Sequence, residues 1–187
     1  SSFQTPASLV GTYGSFTFDV ATGAWTYTLS NTNAATQSLI AGQVVHDTLT
    51  VTSLDGTASK VIDVSLTGSN DNASISGTAT GSVTEDGTLT ANGNLTVTDV
   101  DSGQSLFQTP ASLAGTYGTF TFNANTGAWG YTATNSAIQF LAAGKQVFDT
   151  LMVTSADGTA TQNIQVTING SNDLPSGADA SFTINED

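Results

Sequence analysis

The sequence has no cysteine and no arginine, and only two lysines and one histidine in 187 residues. Without cysteine, disulfides, thiolate metal sites and thiol nucleophiles are excluded. No apolar run is long enough to cross a bilayer as a helix. No signal peptide opens the chain, so any export signal lies outside this sequence. Glutamate, a helix former, occurs only twice against thirteen aspartates, which favour turns. Fifteen acids against two lysines give a net charge of −13. Nothing can neutralise phosphates, so nucleic acid is disfavoured as a partner. Direct membrane insertion and adsorption to anionic lipid are disfavoured for the same scarcity of cations and apolar runs. The acids serve either solubility and self-repulsion or the binding of cations, and their positions must decide between the two.

What the chain does contain is threonine and serine alternating with valine, leucine and isoleucine, a β pattern. It also contains a long internal repeat. FQTPASLVGTYGSFTFDVATGAWTYT from Phe3 returns from Phe107, and DTLTVTSLDGTASKVIDVSLTGSND from Asp47 returns from Asp149. The offset falls from 104 to 102 after a two-residue deletion behind the tryptophan. A period near 100 suits a β-sandwich module rather than a solenoid unit. Asp55-Gly56 and Asp157-Gly158 separate alternating runs, as in hairpins. Only NAATQSLIAG offers a turn of helix. The expected fold is all-β, with tandem Greek-key β-sandwiches. Residues 1–72 form a first repeat lacking its leading strands, 73–173 a complete second repeat, and 174–187 the first strand of a third, like a window cut from a longer array.

The acids recur at fixed places. Asn70, Asp71 and Asn72 form an oxygen-rich knot after the last strand of the first repeat, and Asn172 and Asp173 repeat it. Asp99 and Asp101 make a D-x-D behind a strand, Asp157 lies in a hairpin turn, and Glu85 ends a strand. Calcium takes six to eight such oxygens. Loop ends of a sandwich gather at two poles. Asp99, Asp101 and Asp157 would share the pole facing the first knot, with Glu85 at the pole facing Asn172 and Asp173. Without a cation these carboxylates would repel or take up protons. Asp55 and Asp157 are equally explained as hairpin-turn residues; Asp99 and Asp101, with the knot in register, read as ligands ahead of ordinary loop acids; and Asp47 and Asp149 read as structural. Trp25 and Trp129 read as core or half-buried residues rather than a sugar platform. His46 has no counterpart in the other repeat, and no G-x-S-x-G, H-E-x-x-H or phosphate loop is present, so an enzyme is not expected.

GSNDNASISG, Glu85, DVD at Asp99–Asp101 and TSADG resemble the cadherin-type calcium pattern. Together with GAWTY, LTVTDVDSG and the terminal GSND, they resemble VCBS repeats, the cadherin-like extender modules of RTX-type bacterial adhesins. The resemblance implies Ca2+ as cofactor. Asn70 and Asp71 would bridge to Asp99, Asp101 and Asp157, and Asn172 and Asp173 to Glu85. Asp55 would serve a junction whose D-x-D precedes Ser1. Gln43 and Lys145 stand where relatives carry an acid. The implied role is a calcium-stiffened extender of a secreted or bacterial cell-surface adhesin in cell adhesion or biofilm formation, with neighbouring repeats of the same chain as partners. A polysaccharide- or ligand-binding module, or homophilic adhesion, is the alternative.

Overall fold

The computed structural model describes residues 2–174 together with 181, 183, 184 and 186. The strand expected of a third repeat at 174–187 therefore lies largely outside the described residues. Strands β1 (Gly14–Phe18), β2 (Trp25–Leu29), β3 (Val44–Thr52) and β4 (Ser59–Thr67) belong to the first repeat. Strands β5 (Ser74–Gly77), β6 (Thr80–Thr84), β7 (Thr90–Thr98), β8 (Gly118–Phe122), β9 (Ala128–Ala133), β10 (Gln146–Thr154) and β11 (Thr161–Asn169) belong to the second. The expected helical turn is α1 (Ala34–Gln37), capped by Asn33, whose side chain accepts from the Ala35 N–H. The fold is all-β, as the alternation of threonine with aliphatic residues requires.

Two compact units divide the chain. One gathers 1–76, 96–108 and 154–161; the other gathers 77–95, 109–153 and 162–187. In the first repeat β1 pairs antiparallel with β2, and β3 with β4. In the second, β10, β11 and β6 form one sheet and β5, β7, β9 and β8 the other. The chain leaves the larger sheet after β5, adds β6 parallel to β11, and returns as β7 antiparallel to β9. That crossing is the Greek-key step of a sandwich. Both Asp-Gly hairpins turn on a glycine with φ near the left-handed region, 74° at Gly56 and 81° at Gly158.

The two repeats make an internal comparison. Trp129 is 3% exposed, and its indole N–H donates to the Thr78 carbonyl at 2.7 Å. A Cβ on Gly93 would lie 2.7 Å from the indole, and one on Gly81 would lie 3.0 Å away. The glycines of ATGSV and TANGN are therefore seats for this side chain. Trp25, at the same place in the first repeat, is 46% exposed. The described residues place no counterpart of β6 or β7 beside it, so of two tryptophans expected to be core or half-buried, Trp129 is core and Trp25 is left about half exposed. The same difference runs along the last strand: Ile164, Val166 and Ile168 are fully buried, whereas Ile62 and Val64 are half-buried.

Within each repeat a buried aspartate ties the sheets together. Asp149 on β10 accepts from the N–H groups of Thr116 and Tyr117 at 2.8 and 2.9 Å and from the Tyr131 hydroxyl on β9 at 2.7 Å. Asp47 does the same with Thr12, Tyr13 and Tyr27. A Cβ on Gly11 or Gly115 would come within 2.2 Å of the carboxylate, which explains the first glycine of each GTYG. Burial and the Asp47 carboxylate push the Tyr27 hydroxyl well above its ordinary range. Burial resists ionisation of Asp47, but the Tyr27, Tyr13 and Thr12 donors overcome it and hold the acid low.

Truncation separates the two tryptophans. Trp129→Ala is expected to cost about 3–5 kcal/mol, the usual loss for a buried aromatic, whereas Trp25→Ala should cost less than about half of that. Urea denaturation of the two variants measures it, and equal losses would contradict the burial difference.

Candidate metal centre

Behind β7 the chain makes a tight acidic loop. The Asp101 N–H donates to Asp99 Oδ1 at 2.9 Å, and the Gln104 N–H donates to the Asp101 carbonyl at 3.2 Å. Ser105 closes the turn, its Oγ accepting from the Asp99 N–H and donating to the Asp99 carbonyl. Asp101 is thereby driven inward and is only 2% exposed. The knot after β4 meets it: the Asp71 N–H donates to Asp101 Oδ2 at 3.0 Å. Asn70 Nδ2 donates to Asp157 Oδ2 at 3.2 Å, and the Ala73 N–H donates to Thr159 Oγ1 at 2.9 Å. Asn70, Asp71, Asp99, Asp101 and Asp157 are thus gathered in one compact unit. Asn72 is exposed and makes no hydrogen bond into this network among the described residues.

The hairpin aspartates are committed to their turns. Asp157 Oδ1 accepts from Ser155 Oγ at 2.6 Å and the Thr159 N–H at 3.2 Å, while Oδ2 accepts from the Thr159 hydroxyl and from Asn70. Burial disfavours its charge, but the donors from Ser155, Thr159 and Asn70 outweigh that and hold its pKa far below the carboxylate range. Asp55 accepts from Ser53 and Thr57 in the same way and is exposed, with its pKa lowered first by Ser53. Nothing among the described residues adds a second acid to Asp55.

A second cluster lies in the other unit. Glu85 is 1% exposed, and its Oε2 accepts from the Ser171 N–H at 3.0 Å. Asp86 adopts a φ of 55° and accepts from Asn135 Nδ2 at 2.7 Å and Gln139 Nε2 at 3.1 Å. Asp173 has its pKa raised, first by desolvation and then by a hydrogen bond with Asp86 and the charges of Glu85 and Asp86. Asn172 is exposed, its Nδ2 donating to the Asp173 carbonyl. Glu85 and Asp86 stand out in the sequence as an acidic pair closing a strand, whereas nothing in the sequence places Asn135 or Gln139 beside them.

Among the described residues, four buried side-chain oxygens have no hydrogen-bond partner: Asp99 Oδ2, Asp101 Oδ1, Gln104 Oε1 and Glu85 Oε1. Leaving a buried acceptor unpaired costs about 1–3 kcal/mol, and more for a charged one. Among the described residues the sole ion pair is His46 with Asp63, exposed on β3 and β4. Among the described residues no protein cation therefore compensates these acids. Among the same residues no three acidic or histidine side chains converge tightly enough to hold a metal by themselves. The donor set is all oxygen, the chemistry of calcium or magnesium rather than of a soft metal.

A family model described as a bacterial cadherin-like domain matches residues 70–170, more than half of the chain. The chain belongs to the bacterial cadherin-like domain family. Cadherin-like domains are adhesion-type extracellular modules and typically bind calcium. Among solved structures, the chain is similar to mouse clustered PcdhgC3 EC1-3 at 12% identity and a TM-score of 0.44, covering 83% of this chain and 50% of that one. The Protocadherin GammaB4 extracellular domain gives 16% identity and a TM-score of 0.44, covering 90% and 26%. An endo-fucoidan hydrolase from glycoside hydrolase family 107 gives 16% and 0.30, covering 90% and 24%. The chain thus spans half or less of each of these structures, and scores of this size transfer no property to it. No curated protein matches the sequence. No helix among the described residues is long and apolar enough to cross a membrane.

Two aspartates, one from each cluster, titrate in opposite directions, Asp157 lowered and Asp173 raised. The depressed pKa of Asp157 means that its hydrogen bonds contribute stability fully above the unfolded value of about 3.9 and lose it as pH falls through the lower folded value. Asp173, raised, takes up its proton before an ordinary aspartate does. Carboxyl-carbon NMR titration in chelator is expected to show Asp173 protonating at a clearly higher pH than Asp157; the reverse order would contradict the described contacts.

Proposed function

We propose that the chain is a non-enzymatic stretch of extender modules from a secreted bacterial surface adhesin of the VCBS/RTX kind, stiffened by calcium at the junction between repeats. The observation that carries this reading is the orphaned pair of buried carboxylate oxygens, Asp99 Oδ2 and Asp101 Oδ1, beside a knot that closes the preceding repeat. Asn70, Asp71, Asp99, Asp101 and Asp157 would hold the ion, and Glu85 with Asn172 and Asp173 would do so at the next junction. Asp55 would take the place of Asp157 for the repeat before. Calcium bound there supplies the positive charge that a chain of net −13 lacks. The residues themselves do the positioning: Asp71 ties its backbone to Asp101, and Asn70 ties its amide to Asp157. Sites of extracellular modules bind at about 10⁻⁴–10⁻³ M, so they fill outside a cell and stay largely empty in cytosol. The chain would then be loose before export and stiff after it, as suits adhesion or biofilm stalks.

A second reading, a ligand- or polysaccharide-binding module, rests on Phe148 and Met152. Both are exposed on β10, where β3 has His46 and Thr50. Glycan binding by the second repeat, lost in Phe148→Ser, would favour it.

Small-angle scattering separates the extender reading from mere solubilisation. In millimolar calcium the particle is expected to be longer and less variable than in chelator, with unchanged β circular dichroism. Identical profiles would overturn the stiffening role.

A further inference from the structure

We infer that Gln104 is a ligand of the cation site, its amide oxygen joining the carboxylates of Asp99 and Asp101. The inference rests on the calcium reading above and adds to it a neutral ligand that the D-x-D pattern does not demand. Three of the four orphaned buried oxygens, Asp99 Oδ2, Asp101 Oδ1 and Gln104 Oε1, come from six consecutive residues. The backbone of that loop is fixed on both sides of Gln104. Its N–H donates to the Asp101 carbonyl at 3.2 Å, its own carbonyl accepts from the Leu106 N–H at 2.7 Å, and Gly103 before it takes φ 79°.

A buried amide oxygen ordinarily meets a donor. Three buried acceptor atoms from one loop without a donor for any of them are unfavourable together. A single cation bound in the loop would satisfy all three at once. The acids alone do not converge closely enough to hold it, and calcium needs six to eight oxygens, for which side-chain amides are ordinary ligands. An amide adds an oxygen without adding to the charge of a chain already at −13. Gln104 also lies behind Asp101 in the turn, so the carboxylate that is most buried and the amide are positioned by the same hydrogen bond.

The test pairs Gln104→Met, which keeps the stem and removes the oxygen, with Gln104→Glu, which keeps the oxygen and adds charge. For the full chain, calcium affinity is measured by titration calorimetry and Tm is measured in chelator. Gln104→Met is expected to weaken calcium binding at least about tenfold while Tm in chelator holds or rises, because an unpaired buried acceptor has gone. Gln104→Glu is expected to bind calcium at least as tightly as the parent and to melt lower in chelator. A drop in the Gln104→Met Tm with unchanged calcium affinity would assign Gln104 a structural role and overturn the inference. If Gln104→Met fails to fold, Gln104→Glu with parental affinity and parental Tm in chelator overturns it as well. Failure of the parent chain to bind calcium would overturn the calcium reading itself, whereas a binding parent with an indifferent Gln104→Met removes only this ligand.

Discussion

The constraint on which everything else turns is the scarcity of cations. With two lysines and no arginine, a carboxylate that goes inside must be satisfied by N–H and O–H donors or by something from outside the chain. Asp47 and Asp149 show the first solution. Each is buried, and each receives two backbone N–H groups and a tyrosine hydroxyl. Donor-rich sites of this kind stabilise a buried charge without a counter-ion. They also hold the two sheets of a repeat together, because the tyrosine and the aspartate stand on strands of different sheets.

Asp101 and Glu85 do not follow that solution. Each is as buried as Asp149, yet each receives a single backbone N–H on one oxygen and nothing on the other. The same sequence repeat therefore contains buried acids of two kinds, those completed by the protein and those left incomplete at the loop poles. Asp157 falls between them: turn donors reach both oxygens, and Asn70 adds a further donor to one. A carboxylate offers about four lone-pair sites, so a role in the turn and a role toward an ion are compatible in one residue. That is why the hairpin reading and the ligand reading of Asp157 did not exclude each other in the sequence.

Local patterns revealed a good deal. Alternating threonine and aliphatic residues marked the strands, Asp-Gly marked the hairpins, and the self-match marked the repeat. The adjacency of Asn70 and Asp71 to Asp99, Asp101 and Asp157 could be anticipated because sandwich loops collect at poles. What remained hidden depends on residues far apart in sequence. Gly81 and Gly93 look like weak points in strands until Trp129 is laid across them. Trp25 shares its sequence surroundings with Trp129 and is nevertheless exposed, because burial is conferred by β6 and β7 and not by the tryptophan's own strand. Asp86, Asn135 and Gln139 meet across 49 and 53 positions, and no spacing rule joins them. The orphaned oxygens are likewise a property of packing, since D-x-D alone reads equally well as a solvated loop.

The account stands or falls on what completes Asp101. A crystal structure grown in millimolar calcium tests it directly. The account predicts an ion within about 2.3–2.6 Å of Asp101 Oδ1, the ordinary calcium–oxygen distance, with Asp99 in the same coordination sphere. Water or a proton completing Asp101 Oδ1 at saturating calcium would contradict it, and the acids would then serve solubility alone.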